Sequence, residues 1–515
     1  MILLIKNITK FFFIGCIYFS SGYSKNGLDN IDPILVRIGE KTITENEFIS
    51  RAEYTPRPVY CRGSTYIHKK IVLNSLIAEK LLALEAGEDN NYITSDNVQA
   101  YIKGRREQVM REILYTKDAY ETVVLDTQQI LEAMHLSGRT YSITFVYFKE
   151  NSNAKSFISD VSKLDSLMIN KGMGIPVHEN LQTRTVSWNE TEHHSIFQAL
   201  YTKPVTVNQV LGPIKIDNDN YLVLYVNGWK ETPIITDKQF QSRLLDISSY
   251  YKRQSAQRKY DEIISTVMRG KSIVFEQSTF FKFTDILAPI YLGAEENGVD
   301  SNNMLRQDIN KEFNYSSSKN DLENIYQNVL FRLDGRIWTV GNFLEELKSH
   351  PLVFRKKTIQ NHEFGEQLKY AIIDVISDHY LTQEAYKRGY NNITTVQRIE
   401  WMWKDKINAL HEKNRILSNC KVGENLRSND LQLIQTCLNP IVDSLQAKYS
   451  KLIEIDTDIL EDLTLSRIDM LVFNENKPYP VIIPSFPLLT TDHIIDYGTK
   501  KMFRLEENLL EFSNE

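Results

Sequence analysis

The stretch LVRIGEKTIT, Leu35–Thr44, decides the fold because a related stretch, LFRLDGRIWT, returns much later in the chain at Leu330–Thr339. Each stretch predicts a short strand, a turn and a second strand. The last threonine of each stretch stands four residues before a phenylalanine, Phe48 in one case and Phe343 in the other. Repeats are the first pattern to seek in a long chain. This match therefore indicates a duplicated unit.

An apolar helix is predicted after each stretch, from about Ile71 to Ala86 and from about Ala371 to Ala385. The two helices end alike, with five positions that correspond at one constant offset. Ile77, Glu79, Leu82, Glu85 and Ala86 match Ile376, Asp378, Leu381, Glu384 and Ala385. Two ordinary amphipathic helices would explain the shared apolar face, but they would not explain the matching strand, turn and ending. We therefore favour a duplication.

Length and composition describe a globular chain of several domains. The chain has 515 residues, and a single core rarely grows beyond about 250–300 residues. Hydrophobic residues make up 42% and charged residues 24%, with a net charge of −6. A general nucleic-acid binder usually carries a basic excess. The mild acidity argues against that class.

The N-terminus predicts a secretory signal over residues 1–24. Lys6 and Lys10 precede an uncharged run, and Gly22 and Ser24 fit a cleavage site for small residues. The run is too short to span a membrane, and no later stretch reaches the ~18 apolar residues of a transmembrane helix. Cys16 lies in a sequence similar to a lipobox, but we favour plain cleavage over a lipid anchor at that residue. We expect a secreted mature chain without a transmembrane segment.

Three cysteines remain after the signal, namely Cys61, Cys420 and Cys437. Their odd number and the lack of a C-x-x-C spacing indicate neither a zinc site nor a dense disulfide framework. A bridge between Cys420 and Cys437 stays open, although two unrelated cysteines are the interpretation that we favour.

Residues 139–232 change in character and predict a β-rich module. The pattern indicates a strand, a helix, a strand, a short helix and two closing strands. The strands are predicted at Tyr141–Phe148, Thr183–Trp188, Val210–Lys215 and Tyr221–Val226, and the short helix at Ser195–Leu200.

A long helix at Asp237–Met268 and a strand at Ser272–Phe275 follow this module. The same ending recurs later as a helix at Ile441–Tyr449 and a strand at Leu452–Ile455. The duplicated unit therefore has an entering strand, a helical body and an exiting strand, and the β-rich module interrupts the first copy. In that case the 35–44 strand should lie beside the 272–276 strand.

The predicted organisation has seven parts. They are a signal peptide (1–24), the N-terminal part of the first core (25–138), the β-rich module (139–232), the C-terminal helix and strand of the first core (233–285), a polar linker (286–326), the second unit (327–460), and a C-terminal strand pair with a tail (461–515). The strand pair is predicted around 468–473 and 481–483.

This organisation resembles the SurA-type periplasmic chaperones and, more loosely, the extracellular foldases of the same parvulin-linked group. The resemblance rests on the opening Ile38–Thr44 with Phe48, on the helix Ile77–Ala86, and on an insert of parvulin size. It implies an α+β fold in which a mostly helical SurA-N-like chaperone unit is duplicated and the first copy is interrupted by a degenerate parvulin-like α/β domain. In the family, the segments 34–138 and 233–280 would form one chaperone domain.

The insert at 139–232 resembles a parvulin-type prolyl isomerase domain, which implies a peptide-binding pocket. The resemblance places pocket residues at Phe145, Trp188, Phe197 and Tyr221. The two histidines of the family are absent, because their positions align with Ile143 and Leu222. A histidine pair at 193–194 lies nearby, and we favour a solvated pair over a displaced catalytic one. The resemblance therefore implies a fold whose catalytic histidines are lost.

Other chemistry finds little support, since the sequence has no zinc-protease, P-loop, dinucleotide or nucleophile-elbow motif. We expect no cofactor, no metal and no nucleic-acid partner. The leading hypothesis is an ATP-independent periplasmic chaperone for unfolded envelope proteins, including outer-membrane β-barrels. The alternatives are an active peptidyl-prolyl cis-trans isomerase and a non-enzymatic envelope scaffold, and whether the chain is an enzyme stays undecided.

Overall fold

The computed structural model describes residues 32–163, 182–188, 193–216, 220–233, 235–292, 319–356, 359–421, 430–465 and 483–501. The predicted signal peptide and nearly all of the predicted C-terminal strand pair lie outside these residues. The predicted α+β class is confirmed, because long helices accompany small separate sheets. The chain divides into two compact units. Unit 1 lies within residues 1–114 and 261–515, and unit 2 is Tyr115–Tyr260.

Fifteen α-helices are formed by the described residues. They are α1 (Glu45–Glu53), α2 (Tyr66–Ala86), α3 (Asp96–Tyr115), α4 (Thr127–Leu136), α5 (Asn151–Lys163), α6 (His194–Tyr201), α7 (Asp237–Val267), α8 (Gln277–Leu292), α9 (Lys319–Ile325), α10 (Val340–Ser349), α11 (Phe364–Lys387), α12 (Thr394–Asn419), α13 (Asp430–Leu433), α14 (Asn439–Tyr449) and α15 (Thr457–Asp462).

Eleven strands are formed by the same residues. They are β1 (Ile34–Ile38), β2 (Lys41–Thr44), β3 (Arg139–Phe148), β4 (Gln182–Val186), β5 (Val210–Lys215), β6 (Tyr221–Glu231), β7 (Ile273–Phe275), β8 (Val329–Leu333), β9 (Arg336–Thr339), β10 (Ile453–Ile455) and β11 (Thr499–Lys500).

Unit 1 contains two sheets with the same internal plan. The first has the strand order β11-β10-β1-β2 and the second the order β7-β8-β9. In each sheet the strand of the opening stretch lies between its hairpin partner and a three-residue strand from elsewhere in the chain. The pairings are antiparallel except for β11, which adds to β10 in parallel.

The strand register is equivalent in the two sheets. Ile38 faces Ile453 in the first sheet, and Leu333 faces Ile273 in the second. The amide that follows each three-residue strand also donates to an equivalent carbonyl. Asp456 N donates to Leu35 O at 2.9 Å, and Glu276 N donates to Leu330 O at 3.0 Å.

The threonine shared by both opening stretches caps the next helix. The side chain of Thr44 accepts from the amide of Glu47, and the side chain of Thr339 accepts from the amide of Asn342. A threonine in this position satisfies one of the free amides at the start of a helix. The phenylalanine four residues later turns into the core in both cases, where Phe48 and Phe343 are fully buried.

The prediction that the 35–44 strand lies beside the 272–276 strand is wrong. Residues 34–38 pair with 453–455, and the strand at 273–275 pairs with 329–333. Each opening strand thus takes the exiting strand of the other segment. The physical reason is that both exiting strands are short and apolar enough to fit either partner, while packing of their neighbours decides the pairing. Helix α8, which follows β7, buries Phe283 and Leu287 in one core with β8 and β9.

Three apolar cores follow from this exchange in unit 1. The first combines β1, β2, α1 and α2 with α13, α14, β10 and α15. The second combines α8, α9, β8, β9, α10 and α11. The third lies between α3 and α12, where Tyr101 meets Trp403 edge to face at 5.7 Å.

Cys420 and Cys437 form a disulfide, with Cα atoms 6.0 Å apart. The interpretation of two unrelated cysteines is therefore wrong. Counting could not settle it because Cα separation, and not sequence spacing, decides whether two cysteines can be joined. The bond ties the end of α12 to the segment between α13 and α14.

The segment predicted as a polar linker, 286–326, carries helix at both ends. Helix α8 continues to Leu292, and α9 occupies Lys319–Ile325. Leu287, Leu322 and Ile325 are buried in the second core, which explains why these ends are ordered. The middle of the predicted linker lies outside the described residues.

Unit 2 contains one antiparallel sheet with the strand order β4-β3-β6-β5. The predicted order of strand, helix, strand, short helix, strand and strand is confirmed between 139 and 231. Helix α4 and the part of α7 up to Tyr260 also belong to this unit, and Ala133 of α4 packs against Ile247 and Tyr251 of α7. Across the residues that the structure covers, every helix is too short or too polar to cross a membrane.

The exchanged pairing predicts which engineered cysteines can be oxidised to a disulfide. Arg37→Cys with Glu454→Cys should cross-link, because these residues are direct partners in antiparallel strands, whose opposed Cα atoms lie about 4.5–5.5 Å apart. Arg37→Cys with Val274→Cys is the matched control, since the uncrossed arrangement would bring that pair together. Mass spectrometry of oxidised, protease-digested protein measures both. Cross-linking of the control pair alone would overturn the observed topology.

Candidate functional site

Three of the four predicted pocket residues lie together in unit 2. Phe145 on β3, Phe197 on α6 and Trp188 after β4 belong to one apolar cluster on one face of the sheet. Tyr221 lies on the opposite face, where it packs with Phe148 and the helix α5. The sheet therefore separates Tyr221 from the other three.

The aromatic cluster is covered by a residue of α7. The ring of Tyr250 lies 4.6 Å from Phe197 and 5.6 Å from Trp188. Burial raises the pKa of the Tyr250 phenol, and the neighbouring Tyr251 adds to this shift. Phe145 and Phe197 are only 5% and 7% exposed. These residues therefore form the core of unit 2 in this structure.

Buried aliphatic side chains occupy the two positions where the resemblance places histidines. Ile143 and Leu222 are both fully buried in the same cluster as Phe145. They are not cross-strand partners, because Ile143 faces Val226 and Leu222 faces Tyr147. Neither position can donate or accept a proton.

The histidine pair has structural contacts. His193 caps α6 by accepting from the amide of Ser195 at 3.3 Å. His194 is half-buried, and its Nδ1 lies 3.2 Å from the amide nitrogen of Gln254 on α7. Burial and the neighbouring His193 lower the pKa of His194. The expectation of a solvated pair therefore fits His193 better than His194.

Unit 1 contains a buried ion pair inside its first core. Arg51 of α1 donates to both carboxylate oxygens of Glu79 of α2, at 2.8 and 2.7 Å. Both residues are fully buried. Burial alone would raise the pKa of Glu79, but the charge and hydrogen bond of Arg51 lower it below its usual range. The carboxylate therefore stays ionised in an apolar environment.

A second group of charges continues the network between α2 and α12. Asp405 accepts from Lys41 at 2.6 Å and lies 3.1 Å from Lys80. Lys80 also lies 3.0 Å from Glu47. These pairs fasten β2, α1 and α2 to α12 through side chains that are largely removed from water.

Lys406 follows Asp405 on α12 and joins the network through Glu79. Its ammonium lies 3.9 Å from Glu79. Burial lowers the pKa of Lys406 to about 7, only partly opposed by Glu79. Lys413 lies two turns further along the helix, and burial lowers its pKa to about 8. Two lysines in this core can therefore lose their proton close to neutral pH.

The network reaches a segment near the C-terminus that we call the C-terminal strap, Pro484–Ile495. The strap contains no helix or strand. Its first half is buried in the first core of unit 1, where Phe486 is 4% exposed and Leu489 is 3% exposed. Beyond the strap, β11 joins the edge of the sheet beside β10.

The strap is held mainly through its main chain. In the part of the chain that the structure describes, five side chains of α1, α2, α12 and α14 hydrogen-bond to main-chain groups of the strap, and we call this set the strap-binding face. Arg51 donates to Ser485 O at 2.9 Å, Lys406 to Ser485 O at 3.2 Å, Ser75 to Thr490 O at 3.5 Å, Asn74 to Asp492 O at 2.9 Å and to Ile494 O at 2.8 Å, and Asn439 accepts from Thr491 N at 3.1 Å.

A separate acidic and histidine cluster lies between α3 and the second core. His350 is 1% exposed, and its Nε2 lies 3.0 Å from Glu107. Tyr386 also donates to Glu107, at 3.0 Å. Burial would raise the pKa of Glu107, but His350 lowers it below its usual range. A cavity of about 340 Å³, lined in part by Lys103, lies against this part of α3.

These residues act as structural contacts. The described part of the chain contains no cluster of histidine, cysteine, aspartate and glutamate side chains that could hold a metal ion. Glu107 of α3 contacts both His350, which follows α10, and Tyr386 of α11, and we assign no reaction to these side chains. The strap-binding face is the arrangement in unit 1 that makes contacts suited to a ligand.

The strap-binding face was not predicted from the sequence. One signal was present: Asn74 and Ser75 interrupt the apolar helix α2 and are fully buried. Buried polar side chains are nearly always hydrogen-bonded. Their positions therefore predicted a polar partner, but the partner itself could not be deduced from α2 alone.

Comparison with known proteins gives no relative from which to transfer a role. Scans against models of protein families, curated proteins and solved structures each found no match.

The buried ion pair predicts a large loss of stability on removal of one charge. Glu79→Gln leaves the fully buried guanidinium of Arg51 without its carboxylate, which costs about 3–5 kcal/mol in other proteins. Glu85→Gln on the same helix is the matched control, because Glu85 is exposed and pairs with Lys448 at the surface. That exposed pair should contribute at most ~1 kcal/mol.

Urea denaturation measures both variants. The double variant Arg51→Met with Glu79→Met should recover part of the lost stability, since neither charge is then buried alone. Equal and small losses for Glu79→Gln and Glu85→Gln would contradict the burial of this pair.

Proposed function

We propose that this protein is an ATP-independent chaperone that binds unfolded polypeptide in the cell envelope, with outer-membrane β-barrel proteins among its clients. The observation that carries the proposal is the mode in which unit 1 holds the C-terminal strap. The strap lacks regular secondary structure and is bound by side chains that contact its main-chain groups. An unfolded client presents the same groups.

The apolar half of the contact also suits an unfolded client. Phe486, Leu488 and Leu489 of the strap are buried in the core of unit 1. Burial of apolar surface is non-directional and needs no fixed sequence. A surface that combines main-chain hydrogen bonds with apolar burial can therefore accept many sequences, as peptide-binding modes based on the main chain do.

The same proposal includes the duplication and the loss of catalysis. Equivalent register, caps and turns in the two sheets of unit 1 support an origin from two copies of one chaperone-like unit. Buried aliphatic residues at Ile143 and Leu222 support a parvulin-like insert without isomerase chemistry. The proposed envelope location rests on the sequence of residues 1–24.

An aggregation assay tests the chaperone proposal. A urea-unfolded outer-membrane barrel protein is diluted into buffer with a molar excess of the purified chain, and light scattering is followed. We expect slower and smaller scattering, because bound apolar segments are withheld from association. An inert globular protein of similar size and charge is the control. No slowing at several-fold molar excess would refute the proposal.

An isomerase assay separates the proposal from its catalytic alternative. We expect no cis-trans rate above background on peptides with Ala-Pro or a bulky residue before proline. The barrier to be lowered is about 18–20 kcal/mol, and neither Ile143 nor Leu222 offers a polar atom to do so. An active parvulin run in parallel is the positive control. A rate that grows with protein concentration would favour the active isomerase instead.

A further inference from the structure

Two buried polar residues of helix α2 need hydrogen-bond partners, and the strap supplies them. Asn74 and Ser75 are fully buried in the middle of a helix whose other buried residues are mostly apolar. A buried amide or hydroxyl without a partner costs about 1–3 kcal/mol. Asn74 donates to two carbonyl oxygens of the strap, and its own carbonyl oxygen accepts from the hydroxyl of Tyr497. The strap therefore satisfies side chains that an apolar helix would not need.

Arg51 also hydrogen-bonds to a main-chain carbonyl, at the other end of the strap. Its bidentate pairing with Glu79 fixes the guanidinium, and the remaining donor capacity of Nη2 points at Ser485 O. Lys406 donates to the same oxygen. Two side chains thus donate to one main-chain carbonyl, and this contact does not depend on the identity of residue 485.

The hydrogen bonds from the strap-binding face to main-chain groups of the strap depend little on the sequence of the strap. The strap-binding face donates to four main-chain carbonyl oxygens of the strap, at residues 485, 490, 492 and 494. Side chains of the strap take part through the burial of Phe486, Leu488 and Leu489 and through the hydroxyl of Thr491, which accepts from the amide of Asn439. Another apolar segment with an irregular backbone could make nearly all of these contacts.

We propose that the strap-binding face is an exchangeable site for apolar, irregular polypeptide segments, and that the C-terminal strap occupies it in cis as a built-in competitor of clients. This inference rests on the proposed chaperone function, because it names the site and its regulation. A tethered segment competes at an effective concentration in the millimolar range. An external segment of equal intrinsic affinity is therefore disfavoured until the strap leaves.

A peptide-binding experiment on the full chain tests the inference. The probe is a fluorescein-labelled peptide with the sequence of residues 483–496, and fluorescence anisotropy measures its Kd. Phe486→Asp with Leu489→Asp should release the strap, because both side chains are buried in the core. We expect the released variant to bind the probe at least about tenfold more tightly than the wild type, as removal of a tethered competitor requires.

Matched controls separate release from a general effect of added charge. His493→Asp adds the same residue within the strap, but His493 is exposed, with its side chain 56% accessible. It should leave the Kd of the wild type unchanged. A second probe with serine in place of Phe486, Leu488 and Leu489 should bind the released variant weakly. Equal binding of both probes would overturn the role assigned to apolar burial.

A covalent lock covers the case in which the released variant fails to fold. Asn439→Cys with Thr491→Cys should join the strap to α14, since the amide of Asn439 donates to the hydroxyl of Thr491 at 3.0 Å. Peptide mapping checks that Cys420–Cys437 stays paired. The locked protein should bind neither the probe nor an unfolded client, and a reductant should restore binding. Wild type in the same reductant is the control.

The outcomes distinguish this inference from the chaperone proposal. Probe binding that increases on release and disappears on locking supports the site, even if aggregation is not suppressed. Suppressed aggregation that ignores both release and lock leaves the chaperone proposal standing and overturns the site. A released variant that loses its helical circular dichroism, together with an unaffected locked protein, shows that the strap is a permanent part of the core and also overturns the inference.

Discussion

The antiparallel pairing of β1 with β10 is the constraint on which the rest of unit 1 depends. Val36 and Ile38 lie opposite Ile455 and Ile453, more than four hundred residues further along the chain. Closing so long a loop carries an entropy cost that grows only with the logarithm of its length. The added cost of the distance is therefore small once a core is there to offset it. The first core offsets this entropy cost, because its buried residues come about equally from the N-terminal and C-terminal parts of the chain.

Polar contacts reinforce the same closure from inside the core. Lys69 near the start of α2 donates to the carbonyl oxygens of Leu460, Glu461 and Leu463 at the end of α15, at 2.8–2.9 Å. A cation at this end of a helix satisfies carbonyls that have no partner within the helix. Burial of such charges adds stability only when the geometry is good. Their chief effect is to allow one arrangement of α2 against the C-terminal elements.

Much of the local structure could be predicted from the sequence, because it is set by residues close to each other. Strands, turns and the order of elements in unit 2 followed from periodicity and turn chemistry, whereas the capping by Thr44 and Thr339 was not predicted. The partner of each short strand could not, since Ile273–Phe275 and Ile453–Ile455 offer similar three-residue apolar edges. The predicted pocket residues Phe145 and Phe197 lie in one apolar cluster, and Tyr250, which covers them, comes from a helix that was predicted as a separate segment.

The polar side chains on α2 set a physical condition on any exchange at the strap-binding face. An empty face would leave the amide of Asn74 without its two acceptors and the guanidinium of Arg51 with one fewer acceptor. Water could satisfy these groups only if the apolar surface beside them were also wetted, which opposes opening. An arriving polypeptide meets the same polar groups with its own main chain, so the polar contacts nearly cancel between the two occupants. Their relative affinity is then decided by apolar side chains at the positions of Phe486, Leu488 and Leu489, weighed against the advantage of the tether. A client segment richer in large apolar residues than the strap is therefore the kind of sequence that could displace it.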